Sequence, residues 1–213
     1  MNALARRLAV VVLVVAVLGP SAGYGSDDRT NLAANGDFEV ATNFFAALPD
    51  GWFCFSSKSQ TVEAGDVLAR SGKKSVMLCG QNMPLGHGGL AQLVQIKPGR
   101  AYSFSVYVTN SRTNPLAESA YGMIGIEWKN RDNQEIRRVV SSRWDATLSR
   151  VDWEQYRVVA VAPPNAVAAA FVIYLYDGIK GSEGCCFVDD AVISGRTEPV
   201  KPAGEGVDPK RSK

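Results

Sequence analysis

The clearest β-strand pattern in the sequence is Lys97-Pro98-Gly99-Arg100-Ala101-Tyr102-Ser103-Phe104-Ser105-Val106-Tyr107-Val108-Thr109. Pro98 presets its own φ and Gly99 accepts a positive φ, which together predict a type II turn. After the turn, side chains alternate between an apolar row and a more polar row, namely Phe104, Val106 and Val108 against Ser103, Ser105, Tyr107 and Thr109. A period of two residues is that of a β-strand, so this stretch predicts a strand with one buried face.

The same alternation recurs in two later segments. In residues 123–129 the apolar row is Ile124, Ile126 and Trp128, and Gly125 and Glu127 point the other way. In residues 169–176 the rows are Phe171, Ile173 and Leu175 against Val172, Tyr174 and Tyr176. Each segment therefore predicts a strand with a strongly apolar row and a second row that contains Tyr, Gly or Glu.

Turn-forming residues punctuate the chain regularly from Asn31 to Ser194. Clusters of Gly, Pro, Asn and Asp separate short apolar runs, and no helical stripe extends beyond a turn or two, which is typical of a β-sandwich or β-barrel. The candidate strands are Gly51–Ser56, Lys74–Cys79, Ala91–Ile96, Ala101–Thr109, Tyr121–Lys129, Glu154–Ala160, Val167–Tyr176 and Cys186–Ile193.

The composition excludes several classes of protein. The formal net charge of the 213 residues is +2, which gives no basic footprint for nucleic acid. The hydrophobic fraction of 46% is too high for a disordered chain. A single His cannot support a zinc site built from several His ligands.

The N-terminal segment has the pattern of an export signal. Arg6 and Arg7 precede the apolar run Leu8–Leu18, which Gly19-Pro20 ends before a series of small residues. The run is shorter than the ~20 residues that a membrane-spanning helix needs, although an uncleaved membrane anchor is the alternative. We therefore expect a signal peptide over residues 1–25, a folded module over 26–196 and a disordered basic tail over 197–213. The mature chain would be secreted or periplasmic and would not be attached to a membrane.

The chain has four cysteines, Cys54, Cys79, Cys185 and Cys186. An even number in an oxidising compartment is compatible with disulfides, and four cysteines allow three connectivities. A bond between the neighbours Cys185 and Cys186 would close a strained ring. We therefore favour pairing of each with Cys54 or Cys79, and the alternative is that the thiols do not pair.

The second row of each strand has the composition of a sugar-binding surface. Aromatic rings cover the C–H face of a pyranose, and hydroxyl and carboxylate groups bind its hydroxyls. The alternative is an ordinary solvent-facing sheet, in which Tyr and Thr are common. Trp144 stands in the polar stretch Ser141–Asp145, where it is either an exposed stacking platform or a lid on the core. The candidate sugar-binding residues are Tyr107, Glu127, Trp144, Tyr174 and Tyr176.

Short motifs follow one another over nearly the whole predicted module. They are Asn31-Leu32-Ala33-Ala34-Asn35-Gly36-Asp37-Phe38-Glu39, Pro49-Asp50-Gly51-Trp52, Arg70-Ser71-Gly72-Lys73-Lys74-Ser75, Gln92 with Pro98-Gly99, Trp153-Glu154-Gln155-Tyr156 and Phe187-Val188-Asp189-Asp190-Ala191. In this order they resemble the carbohydrate-binding modules of the family 4/9/22 (CenC-type) group, although Arg70 stands where that family has His. The resemblance implies a two-sheet antiparallel β-sandwich, a jelly roll of the galactose-binding-like type, with a polysaccharide cleft on one sheet face.

The same resemblance implies one structural Ca²⁺ near the joined chain ends. The positions that match the family's carboxylates are Glu39, Asp189 and Asp190, and the loop Ser71-Gly72-Lys73 would add backbone carbonyls. A hard cation of this kind needs several oxygen ligands.

The sequence thus predicts a secreted, non-catalytic protein that binds a polysaccharide or glycan. One alternative is a jelly-roll module without sugar affinity that serves a structural or protein-interaction role. The other is a glycoside-acting hydrolase, for which nothing in the sequence places two carboxylates across a cleft. His87 lies in a Gly-rich loop and no G-x-S-x-G elbow accompanies it, so acyl transfer is not indicated.

Overall fold

The computed structural model describes residues 31–42, 48–56, 62–65, 68–80, 82, 84–179, 181 and 183–196. The predicted signal peptide and basic tail lie outside these residues. The described part of the chain contains strands and no helix, and therefore no helix that is long and apolar enough to cross a membrane. The strands are β1 (Phe53–Ser56), β2 (Val62–Gly65), β3 (Ser75–Cys79), β4 (His87–Gln95), β5 (Ala101–Asn110), β6 (Tyr121–Lys129), β7 (Glu135–Val140), β8 (Trp144–Asp145), β9 (Glu154–Val161), β10 (Ala168–Tyr176) and β11 (Cys185–Arg196).

The strands form two antiparallel sheets that pack as a β-sandwich. The six-stranded sheet has the order β1-β4-β10-β6-β7, with β8 paired to β6, and the five-stranded sheet has the order β2-β3-β11-β5-β9. The predicted fold class is therefore confirmed. The short or charged strands β2, β7 and β8 were not among the candidate strands, because they show little alternation of apolar residues.

The core lies between the sheets and consists of the predicted apolar rows. Residues of β5 face residues of β6 and β10 across the sandwich. For example, the ring centroids of Phe104 and Phe171 are 5.6 Å apart, and those of Tyr102 and Trp128 are 5.9 Å apart. Burying one side chain of this size stabilises the fold by ~1.5–3 kcal/mol. The fully buried members of the three rows are Phe104, Val106, Val108, Ile124, Ile126, Trp128, Phe171, Ile173 and Leu175.

The N-terminal motif holds the chain ends of the module together. The Asn31 side-chain amide donates to the Ala191 carbonyl over 2.9 Å, and the Trp52 indole donates to the Ala34 carbonyl over 3.0 Å. A Cβ on Gly36 would lie 2.1 Å from the Ala191 carbonyl oxygen, so only glycine allows this close approach. These motif residues serve the fold.

One disulfide joins Cys79 to Cys185, and Cys54 and Cys186 remain thiols. The pairing of Cys185 with Cys79 was one of the two that we favoured, whereas the expected pairing of Cys186 is wrong. In the sheet register Cys185 stands directly opposite Cys79, and the alternation of β11 turns Cys186 into the core. Burial raises the pKa of the Cys186 thiol to about 12.

Candidate functional site

The candidate site is the side of the six-stranded sheet that faces away from the core. We call it the tyrosine face, defined by Tyr121, Tyr174 and Tyr176 with the side chains that share this side of β4, β6 and β10. Its centre is a small second hydrophobic cluster against which Phe55, Tyr121 and Tyr176 pack, and the cluster consists of Ala91, Met123, Ala170, Val172 and Tyr174. Strand alternation creates this face, because the neighbouring positions in each strand point into the core.

Three aromatic side chains form a row across the end of this face. The sheet register places Tyr176 opposite His87 on one side and opposite Tyr121 on the other. The rings of Tyr121 and Tyr176 are stacked with centroids 4.9 Å apart and planes 11° apart. Those of His87 and Tyr176 are stacked at 5.8 Å and 25°. The ring faces inside the row are therefore packed against one another and are not open to a ligand.

Glu127 is the centre of a charged network beside this row. Its carboxylate accepts hydrogen bonds from the Tyr174 hydroxyl and, over 2.9 Å, from Lys129 Nζ. Arg138 Nη2 lies 2.7 Å from Oε1 of Glu127 and 2.8 Å from Oε2 of Glu135. Burial opposes ionisation of Glu127, but the hydrogen bonds from Tyr174 and Lys129 and the charges of Lys129 and Arg138 lower its pKa. Glu127 is therefore an ionised, internally paired carboxylate at neutral pH.

Tyr174 is held in place by the same network. Its side chain is buried, its ring packs edge-on against Phe55 at 5.7 Å, and the Arg138 guanidinium lies 5.4 Å from the ring centroid. Burial and the hydrogen bond to Glu127 strongly raise the pKa of Tyr174. Tyr174 is therefore a neutral hydroxyl donor that orients Glu127, and its own ring is largely covered.

Arg143 covers the Tyr121 end of the aromatic row. Its guanidinium carbon is 4.2 Å from the centroid of the Tyr121 ring, within cation–π range. Arg143 was not among the predicted site residues. The adjacent strand β8 is too short to show alternation in the sequence, and only the burial of Trp144 in the structure shows that the residue before it points outward.

Glu127, Tyr174 and Tyr176 come together as the sequence predicted, but Tyr107 does not join them. Tyr107 belongs to β5 in the five-stranded sheet, so its row faces the opposite side of the sandwich. There its ring lies 3.4 Å from the guanidinium carbon of Arg70. Alternation along one strand identifies the outward row but not the sheet that carries it, which is why Tyr107 was wrongly placed.

The prediction of Trp144 as an exposed stacking platform is wrong. Its side chain is 2% exposed and packs against the Tyr156 ring, with centroids 4.9 Å apart. Trp144 stands opposite Gly122 in the pairing of β8 with β6, and a Cβ on Gly122 would lie 2.2 Å from the indole. The missing side chain at Gly122 therefore makes the space in which Trp144 closes the core.

The carboxylates expected to bind calcium accept hydrogen bonds from a nearby loop. Glu39 Oε1 accepts the backbone N–H groups of Lys73 and Lys74 over 2.7 and 2.8 Å. These hydrogen bonds lower the pKa of Glu39. The loop at residues 70–74 thus presents N–H donors to Glu39, where a calcium site would need carbonyl oxygens.

The carboxylates of Asp189 and Asp190 are also bonded to the loop at residues 70–74. Asp189 Oδ2 accepts the backbone N–H groups of Arg70 and Ser71 over 2.8 and 3.2 Å, and Asp190 forms an ion pair with the Arg70 guanidinium. Burial raises the pKa of Asp189 to about 6, although the N–H donors oppose this shift. Among the described residues, no group of three or more His, Cys, Asp or Glu could hold a metal ion. As arranged, Glu39, Asp189 and Asp190 do not fit the calcium site that the resemblance implied.

Comparison with solved structures identifies the fold. A family 61 carbohydrate-binding module in complex with β-1,4-galactotriose matches 78% of this chain and 99% of its own, with 13% identity and a TM-score of 0.52. The xylan-binding family 22 domain from Paenibacillus barcinonensis Xyn10C matches 75% of this chain and 91% of its own, with 13% identity and a TM-score of 0.53. The enzymatically active domain of tailspike protein 4 from bacteriophage CBA120 matches 78% of this chain at 13% identity and a TM-score of 0.58, but this chain spans only 21% of it.

The chain has the β-sandwich fold of carbohydrate-binding modules. No family model and no curated protein matches the sequence. Membership of the family 4/9/22 group in particular therefore stays a prediction.

Proposed function

We propose that the chain is a non-catalytic, secreted module that binds a glycan on the tyrosine face. The observation that carries this proposal is the row formed by His87, Tyr176 and Tyr121 beside the paired Glu127. Aromatic rings provide apolar contact with a sugar ring, and the phenol hydroxyls of Tyr121 and Tyr176 provide hydrogen bonds for its hydroxyls. The β-sandwich that the chain shares with sugar-binding modules supports the same function, and the disulfide supports an oxidising location outside the cytoplasm.

The chemistry of Glu127 supports binding without catalysis. A glycosidase needs a carboxylic acid whose pKa is raised so that it can protonate the leaving group. The pKa of Glu127 is lowered, and the neighbouring carboxylate of Glu135 is bonded to Arg138 over 2.8 and 3.1 Å. Glu127 therefore lacks the raised pKa that a general acid needs.

The test is affinity electrophoresis of the mature protein in gels that contain β-1,4-galactan or xylan, followed by a glycan array. Truncation of Tyr176 to Ala removes the central ring of the row, and we expect it to weaken binding by about tenfold or more. Tyr107→Ala is the matched control, because it removes the same side chain from the opposite sheet and should leave binding unchanged. Equal loss in both variants, or no binding to any glycan, would overturn the proposal.

A structural or protein-interaction module is the second candidate function. It is favoured by the burial of Tyr174, which is 4% exposed, and by the stacking of the row on itself. Both features leave less ring surface for a ligand than an open aromatic platform would. Absence of glycan binding, together with a stable interaction that depends on Tyr121 or Tyr176, would favour this second function.

A further inference from the structure

Arg143 owes its place on the tyrosine face to the burial of its neighbour. β8 is two residues long, and its Trp144 points into the core over Gly122. Alternation then places Arg143 and Asp145 on the outer side, where Asp145 stands opposite Tyr121 in the register. The guanidinium rests on the ring of Tyr121, at the end of the row farthest from His87.

Arg143 differs from the other cations of this face in its pairing. Lys129 and Arg138 are both bonded to Glu127, and Arg138 is also bonded to Glu135. Within the part of the chain that the structure describes, no carboxylate forms an ion pair with Arg143. The guanidinium therefore keeps its hydrogen-bond donors available to a ligand.

Asp145 is the acidic group nearest to Arg143 along the chain, and its carboxylate is used locally. Its Oδ1 accepts the Thr147 hydroxyl over 2.7 Å and the Thr147 backbone N–H over 2.9 Å. These hydrogen bonds lower the pKa of Asp145, so it carries a negative charge at neutral pH. An anionic ligand at Arg143 would therefore meet one attractive charge and one repulsive charge.

We propose that the glycan bound by the tyrosine face carries a carboxylate, as in a polymer of uronic acids, and that Arg143 binds this carboxylate. This inference rests on the proposed sugar-binding function. The planar guanidinium fork matches a carboxylate with two parallel hydrogen bonds. A neutral sugar that stacks on Tyr121 must displace Arg143 from the ring. The carboxylate of an acidic sugar instead binds the guanidinium where it lies.

The test compares polymers that differ only in their charge. Binding of polygalacturonate and of alginate is measured by titration calorimetry, each beside its own carboxyl-reduced form. We expect the carboxylated polymer to bind about tenfold more tightly than the reduced one, and we expect added salt to diminish this preference. A sulfated galactan is the third arm, and tighter binding of the sulfate ester than of both uronates would overturn the assignment to a carboxylate.

Two substitutions change the charge at this position in opposite directions. We expect Arg143→Gln to remove most of the preference for the carboxylated polymer, and Asp145→Asn to increase it by removing the repulsion. Arg137→Gln is the matched control, because Arg137 stands opposite the core residue Trp128 and belongs to the other side of β7. Melting temperatures of all variants verify that they are folded.

The two proposals fail in different ways. If the protein binds no glycan at all, the proposed function fails, and this inference fails with it. If neutral polymers bind as tightly as uronates, or if Arg137→Gln reduces uronate binding as much as Arg143→Gln does, only the role of Arg143 is overturned.

Discussion

An arginine lies on a tyrosine ring on each side of the sandwich. On the five-stranded sheet the Arg70 guanidinium carbon is 3.4 Å from the ring centroid of Tyr107, and on the six-stranded sheet the Arg143 guanidinium carbon is 4.2 Å from that of Tyr121. The two pairs are chemically the same and differ in what surrounds them. Arg70 is tied to Asp190 by its side chain and to Asp189 by its backbone N–H, whereas no described carboxylate pairs with Arg143.

This difference distinguishes a surface whose polar groups are bonded within the protein from a surface that can bind a ligand. On the five-stranded side, the polar groups are used within the module. The disulfide joins β3 to β11, Asp190 pairs with Arg70, and Asp189 accepts backbone N–H groups. On the tyrosine face, the Arg143 guanidinium has no carboxylate partner among the described residues and can bind a ligand. We therefore expect substitutions on the first side to reduce stability without affecting glycan binding, and substitutions of Arg143 to do the reverse.

The largest effect on stability should come from removing the disulfide of the five-stranded sheet. Cys79 and Cys185 are 106 residues apart in the sequence, and in the chain-entropy model a loop of that order stabilises the fold by ~4–5 kcal/mol. We expect Cys79→Ala/Cys185→Ala to lower the free energy of unfolding in urea by ~4 kcal/mol, with native-like glycan binding below the melting temperature. The Cys54→Ala variant, which loses an unpaired thiol, should change stability far less. A double variant as stable as the parent protein would contradict the structural role of this face.

The strands of both sheet faces could be predicted because the alternation of apolar and polar side chains can be seen within each strand. The rows of β5, β6 and β10 alternate over many residues, and the structure confirms which residues of each are buried. The sequence favoured pairing of Cys185 with either Cys54 or Cys79, and the observed disulfide is one of these two. Selecting it requires the register of β3 with β11, which joins distant parts of the chain.

The candidate site was harder to predict for the same reason. Tyr107 and Tyr174 have equivalent positions in their rows, and only long-range strand pairing assigns them to opposite sheets. Trp144 has polar neighbours that suggest a loop, and a strand of two residues is too short to show alternation. The calcium ligands were carried over from a resemblance in sequence, which specifies the carboxylates but not the N–H groups that face them here.

The next largest effect should come from Glu127, whose network supports the tyrosine face. Replacement by Gln keeps the shape but removes the charge that Lys129 and Arg138 share, and we expect it to cost ~2 kcal/mol at neutral pH. Because the pKa of Glu127 is lowered on folding, its contribution is complete above its ordinary pKa of about 4.3 and is lost as the pH falls through the folded value. Urea unfolding measured from pH 7 to pH 3 should therefore show the parent protein and E127Q converging at low pH. A constant difference at all pH values would mean that ionisation of Glu127 contributes nothing.

A smaller effect should separate the two arginines directly. Arg70→Gln breaks a partly exposed ion pair with Asp190 and should cost ~1 kcal/mol, an amount that added salt should diminish. Arg143→Gln removes a charge that no described carboxylate pairs with, and it should leave the free energy of unfolding nearly unchanged. Parallel denaturation curves at low and high salt measure both effects. If Arg143→Gln proved the more destabilising substitution, the distinction between a structural and an available arginine would be lost.

The smallest expected effect is that of a metal chelator on the five-stranded side. The Arg70 guanidinium already supplies the positive charge that calcium would bring to Asp190, and backbone N–H groups fill the sites on Glu39 and Asp189. A cation there would have to displace these donors, and the loop at residues 70–74 would have to turn its carbonyls inward. We therefore expect the melting temperature to be the same in EDTA and in excess Ca²⁺, whereas any bound ion that prefers the folded state would raise it with concentration. A calcium-dependent rise would mean that the loop at residues 70–74 has a second arrangement, and Glu39→Gln, which keeps an acceptor for the N–H groups but removes the charge, would then abolish the rise.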